Sequence, residues 1–164
     1  MRPLLTLLAA CWAALPLSAA AQAYPARPIT MVVPFTPGGG TDIMARVFSD
    51  KLSRGLGVQV LVDNRPGAGG TIGTEFAARA EPNGYTLLMG SVSTISINPS
   101  LYKNLAANPM KDLAPISLVA STPSIVAVPV GLAVDSMQQL IALAKKSPGS
   151  LNFGSAGTGT SHHL

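Results

Sequence analysis

The sequence predicts an α/β fold: a parallel sheet with flanking helices. Two observations carry that expectation. Three short apolar runs rich in β-branched residues, at 29–35, 58–62 and 85–89, alternate with two stretches of helical period. Each run also stops at a cluster of glycine, proline and serine that opens into the next helix, so the order reads β-α-β-α-β, which calls for parallel strands joined by crossovers.

Residues 1–23 read as a secretory signal peptide: Arg2 supplies a positive start, residues 4–17 a compact apolar stretch, and Ala21-Gln22-Ala23 a small-x-small cleavage pattern. Removal after Ala23 leaves 141 of the 164 residues, enough for one good core. It also removes Cys11, the only cysteine, so the exported chain is expected to hold no disulfide. Leu8-Ala9-Ala10-Cys11 imitates a lipoprotein cleavage site, but the apolar stretch before the cysteine is short for one.

Residues 24–28 form a stiff, extended lead-in, and 29–35 a first strand apolar enough to be buried on both faces. Thr41 or Gly40 is expected to cap the helix that follows. Its Met44, Val47, Phe48 and Leu52 then face inward, its Arg46, Ser49, Asp50 and Ser53 face water, and residues 55–57 end it. A second strand at 58–62 runs through a glycine-rich junction at 64–71 into a helix at 72–80. Glu81-Pro82-Asn83-Gly84 stops that helix before a third strand at 85–89. Residues 95–112 look irregular. Strands are expected at 116–119 and 125–130, with 121–123 as a crossing point between lobes. Ser136 then caps a helix at 137–146 whose Met137, Leu140, Ile141, Leu143 and Ala144 face inward. A last strand is expected at 151–153, running into a junction at 154–161 that starts another helix. Pro115, Pro123 and Pro129 break the apolar stretch 113–134, which reads as buried strands rather than a membrane span, so the processed chain is expected to be soluble.

The formal charge of +4 comes from scattered basic residues that never alternate with aromatics, so nucleic-acid binding is unsupported. Enzyme signatures are missing too. Ile43 stands where a dinucleotide fingerprint needs its third glycine, no P-loop lysine follows the glycines, and no nucleophile elbow occurs. His162 and His163 are adjacent and on a helix would point about 100° apart, a poor clamp for one metal. No cofactor, metal or catalytic residue is expected.

The chemistry sits at the junctions. Gly38, Gly39 and Gly40 let backbone approach a ligand without a Cβ in the way, and the N–H groups opening the next helix carry partial positive charge. A plain tight turn is the alternative. Thr41 either bonds a ligand or caps the helix. Asp42 would repel a carboxylate, which favours a role in steadying the helix start, although it suits an ammonium group. Phe35 either walls the pocket or packs at the strand end. Ser91, with Ser93 and Thr94, follows the third strand and should surface beside the first junction, since ligands sit at the carboxyl ends of parallel strands. Ser155, Ala156, Gly157, Thr158, Gly159 and Thr160 offer amides and hydroxyls from the second junction.

Several segments together carry a resemblance: Tyr24-Pro25 through Pro28, Val33-Pro34-Phe35-Thr36-Pro37-Gly38-Gly39-Gly40-Thr41-Asp42, Asn64-Arg65-Pro66-Gly67-Ala68-Gly69-Gly70, Asn98-Pro99-Ser100-Leu101-Tyr102, and Gly154-Ser155-Ala156-Gly157 with Thr160 and His163-Leu164. The chain resembles the Bug-type extracytoplasmic solute receptors of tripartite tricarboxylate transporters. That resemblance implies a type II periplasmic binding-protein fold whose two lobes close on a small carboxylate, a di- or tricarboxylate, an aromatic acid or an acidic amino acid. The carboxylate would be gripped by backbone amides at two facing loops. It also implies a monomer that serves the membrane components of the transporter. Family members are roughly twice as long, so the chain reads as an N-terminal portion: signal peptide at 1–23, first lobe at 24–122, start of a second lobe at 123–164. A ligand-sensing partner of a membrane two-component sensor, or a nonfunctional fragment, are the other readings left open.

Overall fold

The computed structural model describes residues 23–164; the expected leader, apart from Ala23, lies outside them. Strand β1 (Ile29–Val33) leads to helix α1 (Gly40–Leu56), then β2 (Val60–Asn64), a 3-10 turn (Ala68–Gly70) and α2 (Thr71–Ala78). Strand β3 (Thr86–Leu88) follows, then a π-helical turn (Ser93–Ile97), the short helices α3 (Asn98–Leu101) and α4 (Pro109–Asp112), and α5 (Met137–Lys146). The sheet is parallel in the order β2-β1-β3, with Met31 opposite Val62 on one side and Leu87 on the other. A strand paired on both edges and covered on both faces has no polar side to offer. In β1, Ile29, Met31, Val32 and Val33 are all buried, and with Ala45, Val60 and Met89 most of them make the core.

The pairing continues past the strands. The Arg65 N–H donates to Val33 O at 2.8 Å and the Met89 N–H to Val32 O at 2.9 Å, so the segments leaving all three strands start from one edge. Close packing of α2 on that edge depends on Gly73. A Cβ built there would lie 2.8 Å from Arg65 O and from the Pro34 Cα, so only a hydrogen fits.

Several elements differ from expectation. The α1 cap is Gly39, with extended backbone and no side-chain bond, and Gly40 is already helical. The buried stripe of α1 runs through Asp42, Ala45 and Ser49, so Ser49 is buried rather than water-facing, while Val47 is 46% exposed. On that side the Ser49 hydroxyl is buried without a partner among the described residues, while Ser53 links two elements. Ser49 O accepts from Ser53 Oγ at 2.7 Å, and Ser53 Oγ in turn accepts the Val60 N–H at 2.8 Å, which ties the helix to β2. At the C-terminus Gly57 adopts a left-handed φ of 71° and its N–H closes on Ser53 O, the expected stop. Strand β2 begins two residues later than 58, and the stretch expected to be irregular holds helical turns at 93–101 and 109–112 around an irregular 102–108.

The strands expected at 116–119, 125–130 and 151–153 do not form, and the junction at 154–161 leads only into turns, not a helix. A strand needs a neighbour for its backbone groups, and none of the described residues supplies one. Ile116 is 81% exposed and Val130 fully so. Helix α5 does form, for local reasons: the Ser136 hydroxyl accepts the Gln139 N–H, and Lys145 and Lys146 sit in the last turn. Its apolar face, expected inside, buries no residue. No helix among the described residues is long and apolar enough to cross a membrane.

Candidate anion site at the carboxyl edge of the sheet

The loop leaving β1 is held by Asp42, a residue 2% exposed at the third position of α1. Its Oδ2 accepts the Gly38 N–H and the Arg46 Nε–H, each at 2.9 Å, and its Oδ1 accepts the Asn64 amide at 2.9 Å. The same Asn64 amide donates to Phe35 O at 3.1 Å, so one carboxylate and one carboxamide fasten both ends of the loop. Asp42 therefore orients the loop and steadies the helix start. The Arg46 guanidinium, then the Gly38 N–H and the Asn64 amide, hold its carboxyl far below the usual carboxylate range.

That shift has a sign. A carboxylate whose folded pKa lies under its unfolded value near 3.9 adds stability that is fully present above about pH 5 and drains away as pH falls through 4 and below. We expect Asp42→Asn to be less stable than the native chain at pH 7, with the gap narrowing by pH 3. Urea unfolding at both values checks it, and a gap that does not change with pH contradicts it.

With Gly39 as cap, the N–H groups of Gly39, Gly40, Thr41 and Asp42 precede the first bond of the helical ladder, which runs from the Ile43 N–H to Gly39 O at 3.0 Å. No acceptor for those four is found among the described residues. Gly38 holds a positive φ of 87°, and a Cβ built on Gly38 or Gly40 meets nothing within 4 Å, so the space before this helix is open. The positive end of a seventeen-residue helix thus faces an open space with its donors unspent.

Phe35 packs at the strand end, the second of the two roles weighed for it. It packs against the core cluster, and its ring lies 3.2 Å from where a Gly70 Cβ would stand, beside the loop leaving β2. Ser91 follows β3. Its N–H donates to Thr94 Oγ1 at 2.9 Å, while its own hydroxyl is buried and without a partner.

The second junction is drawn onto the same edge, but against the loops leaving β2 and β3. Thr160 is buried, and its hydroxyl donates to Gly157 O at 2.6 Å. Ser155 Oγ accepts the Gly157 N–H at 3.2 Å and shares a 2.8 Å hydrogen bond with His163 Nδ1. The Ser161 N–H reaches Ser93 Oγ at 3.2 Å, and Tyr102 OH donates to Thr158 O at 3.5 Å. Much of this junction's polar capacity is therefore spent within the protein. The N–H groups of Ala156, Thr158 and Gly159 find no acceptor among the described residues. No hydrogen bond joins residues 38–42 to 155–160. What reaches the second junction is Ser93, Asn98, Tyr102 and Gly69. Sequence reasoning placed Ser93 near the edge and used Asn98 only within the segment 98–102 that carries the family resemblance, with no role of its own.

Residues 44–164 match the family described as tripartite tricarboxylate transporter family receptor. The chain belongs to that family. Protein BugT of Bordetella pertussis is 43% identical over 145 residues, 88% of this chain and 44% of BugT. A solved periplasmic transporter superposes with a TM-score of 0.78 at 44% identity, over 83% of this chain and 46% of that one. The structure of R. palustris Rpa4515 with adipate superposes with a TM-score of 0.80 at 34% identity, over 85% and 47%. The receptor chain therefore spans under half the length of these relatives. Its fold is that of periplasmic binding proteins, present as a partial domain. The family is one of periplasmic solute-binding receptors rather than enzymes.

Proposed function

We propose that this receptor chain captures a small carboxylate in the periplasm and presents it to the membrane components of a tripartite tricarboxylate transporter. The observation that carries the reading is the set of four unspent N–H groups at the head of α1, opening on the carboxyl edge of a parallel sheet. Amides and a helix dipole suit a carboxylate without a buried arginine, and Arg46 is already committed to Asp42. The solved relative with adipate supports a dicarboxylate. Asp42 is buried and already accepts three hydrogen bonds within the protein, which makes it a poor partner for an ammonium group and favours a plain acid over an amino acid.

The binding set comprises Phe35 as a wall, Gly38, Gly39, Gly40 and Thr41 as the first grip with Asp42 orienting them, Ser91 as a hydroxyl contact, and Ser155 through Thr160 from the facing lobe. A ligand touching both loops stabilises the closed state by what it gains from the second contact.

Ser91 gives a clean test. Its hydroxyl bonds nothing in the protein, so Ser91→Ala should leave stability unchanged or slightly raised. If the hydroxyl serves the ligand, calorimetry against a dicarboxylate panel including adipate should show affinity falling about five- to tenfold, the worth of one hydrogen bond. Unchanged affinity would remove Ser91 from the site.

A further inference from the structure

We propose that Asn98 is a positioning residue which fastens the second glycine junction to the first lobe, an inference that rests on the carboxylate-binding reading. Asn98 is 1% exposed at the start of α3. Its Nδ2 donates to Gly69 O at 2.9 Å and to Thr71 Oγ1 at 3.3 Å, which fixes the carboxamide orientation because a carbonyl accepts only from the NH2 side. Oδ1 is left buried with no hydrogen-bond partner.

What Oδ1 faces is the second junction. A Cβ built on Gly159 would lie 2.7 Å from it, so this oxygen fills the space that any side chain at 159 would need. The backbones themselves nearly touch: a Cβ on Gly69 would lie 2.7 Å from Thr158 O and 3.2 Å from the Gly159 Cα. Both glycines hold positive φ, 63° and 86°. Residue 98 thus joins the turn after β2 to the turn at 157–160, with one side of its amide on each. The Ser93 and Tyr102 bonds flank it on the same helical stretch. The glycines of the second junction accordingly have a job apart from approach to a ligand, which is to seat the loop so that its free N–H groups are set relative to the first lobe.

The claim predicts coupling between residues 98 and 159. Amide hydrogen exchange in the full chain is the readout, comparing residues 155–161 with β1 and β2 in the same sample, so that global destabilisation is seen separately. Gly159→Ala should speed exchange at Thr160 and Ser161 at least tenfold with β1 protection kept. Asn98→Ala should do the same. The double variant should be worse than Gly159→Ala alone by less than the effect of Asn98→Ala, because removing the carboxamide relieves the 2.7 Å contact while the strain of alanine at φ 86° and its 3.1 Å approach to the Tyr102 hydroxyl remain. Additive effects, or unchanged exchange at 155–161 in Asn98→Ala, overturn the proposal. Titration with adipate is the second arm: if the unmodified chain binds it, Asn98→Ala should weaken binding at least tenfold, and unchanged affinity would also overturn the positioning role. If the unmodified chain does not bind adipate, the result counts against a dicarboxylate of that length, and the exchange coupling alone decides Asn98.

Discussion

Gly73→Ala should destabilise the receptor by about 1–3 kcal/mol, the usual cost of forcing an extra methyl into a packed core. Helix propensity alone predicts the opposite, a gain of up to about 1 kcal/mol for alanine over glycine inside a helix. The decision between them is geometric. The methyl would stand 2.8 Å from the Arg65 carbonyl oxygen, 2.8 Å from the Pro34 Cα and 2.9 Å from its Cβ. None of these is the end of a flexible side chain, and Pro34 is fully buried at the end of the central strand, so nothing can swing aside. Helix α2 would have to lift from β1 and take the turn at 68–70 with it. Urea unfolding measures the change, and a stabilised variant would show that α2 does not pack as described.

Gly39→Asp should move stability and binding in opposite directions. Gly39 is the α1 cap with φ −77° and ψ 166°, backbone that any residue adopts, and a Cβ there makes only an ordinary 3.7 Å contact with Thr36 O. Aspartate is a better cap than glycine by a few tenths of a kcal/mol, and its charge is favoured beside the helix N-terminus by about 0.3–1 kcal/mol more. The same carboxylate would occupy the free N–H groups of Thr41 and Asp42, the second and third helical positions, and repel an incoming acid. Thermal unfolding should therefore show an unchanged or slightly higher Tm, while calorimetry shows dicarboxylate affinity down by a hundredfold or more, about 2.7 kcal/mol. Loss of binding together with loss of stability would point to damage of the loop rather than competition for its amides.

The β-α-β-α-β half of the chain was legible because everything it needs is local or nearby. The apolar runs pair with one another, and their breaks coincide with glycine and proline, so period and punctuation agree. The stretches at 116–119 and 125–130 have the same composition, but strand formation is a property of a pair, and composition says nothing about whether the partner is at hand. The α1 stripe lies one step from the hydropathy pattern, which sends Ser49 outward, and nothing in the structure explains the inward turn of a serine whose hydroxyl has no partner among the described residues. The role expected for Asp42 in orienting the loop has its geometric counterpart in the bonds it accepts from the Gly38 N–H and the Asn64 amide. Asn98 stayed hidden because its worth lies in contacts twenty-nine residues back, to Gly69, and far ahead, to Gly159, neither of which has a sequence period.

The direct test of the account is an NMR titration of the full chain with adipate and its shorter and longer dicarboxylate relatives, following backbone amides. The account predicts saturable downfield shifts at Gly39, Gly40 and Thr41, with the core amides of β1 and β2 unmoved. Binding that saturates while those three amides stay still would place the ligand elsewhere and contradict it.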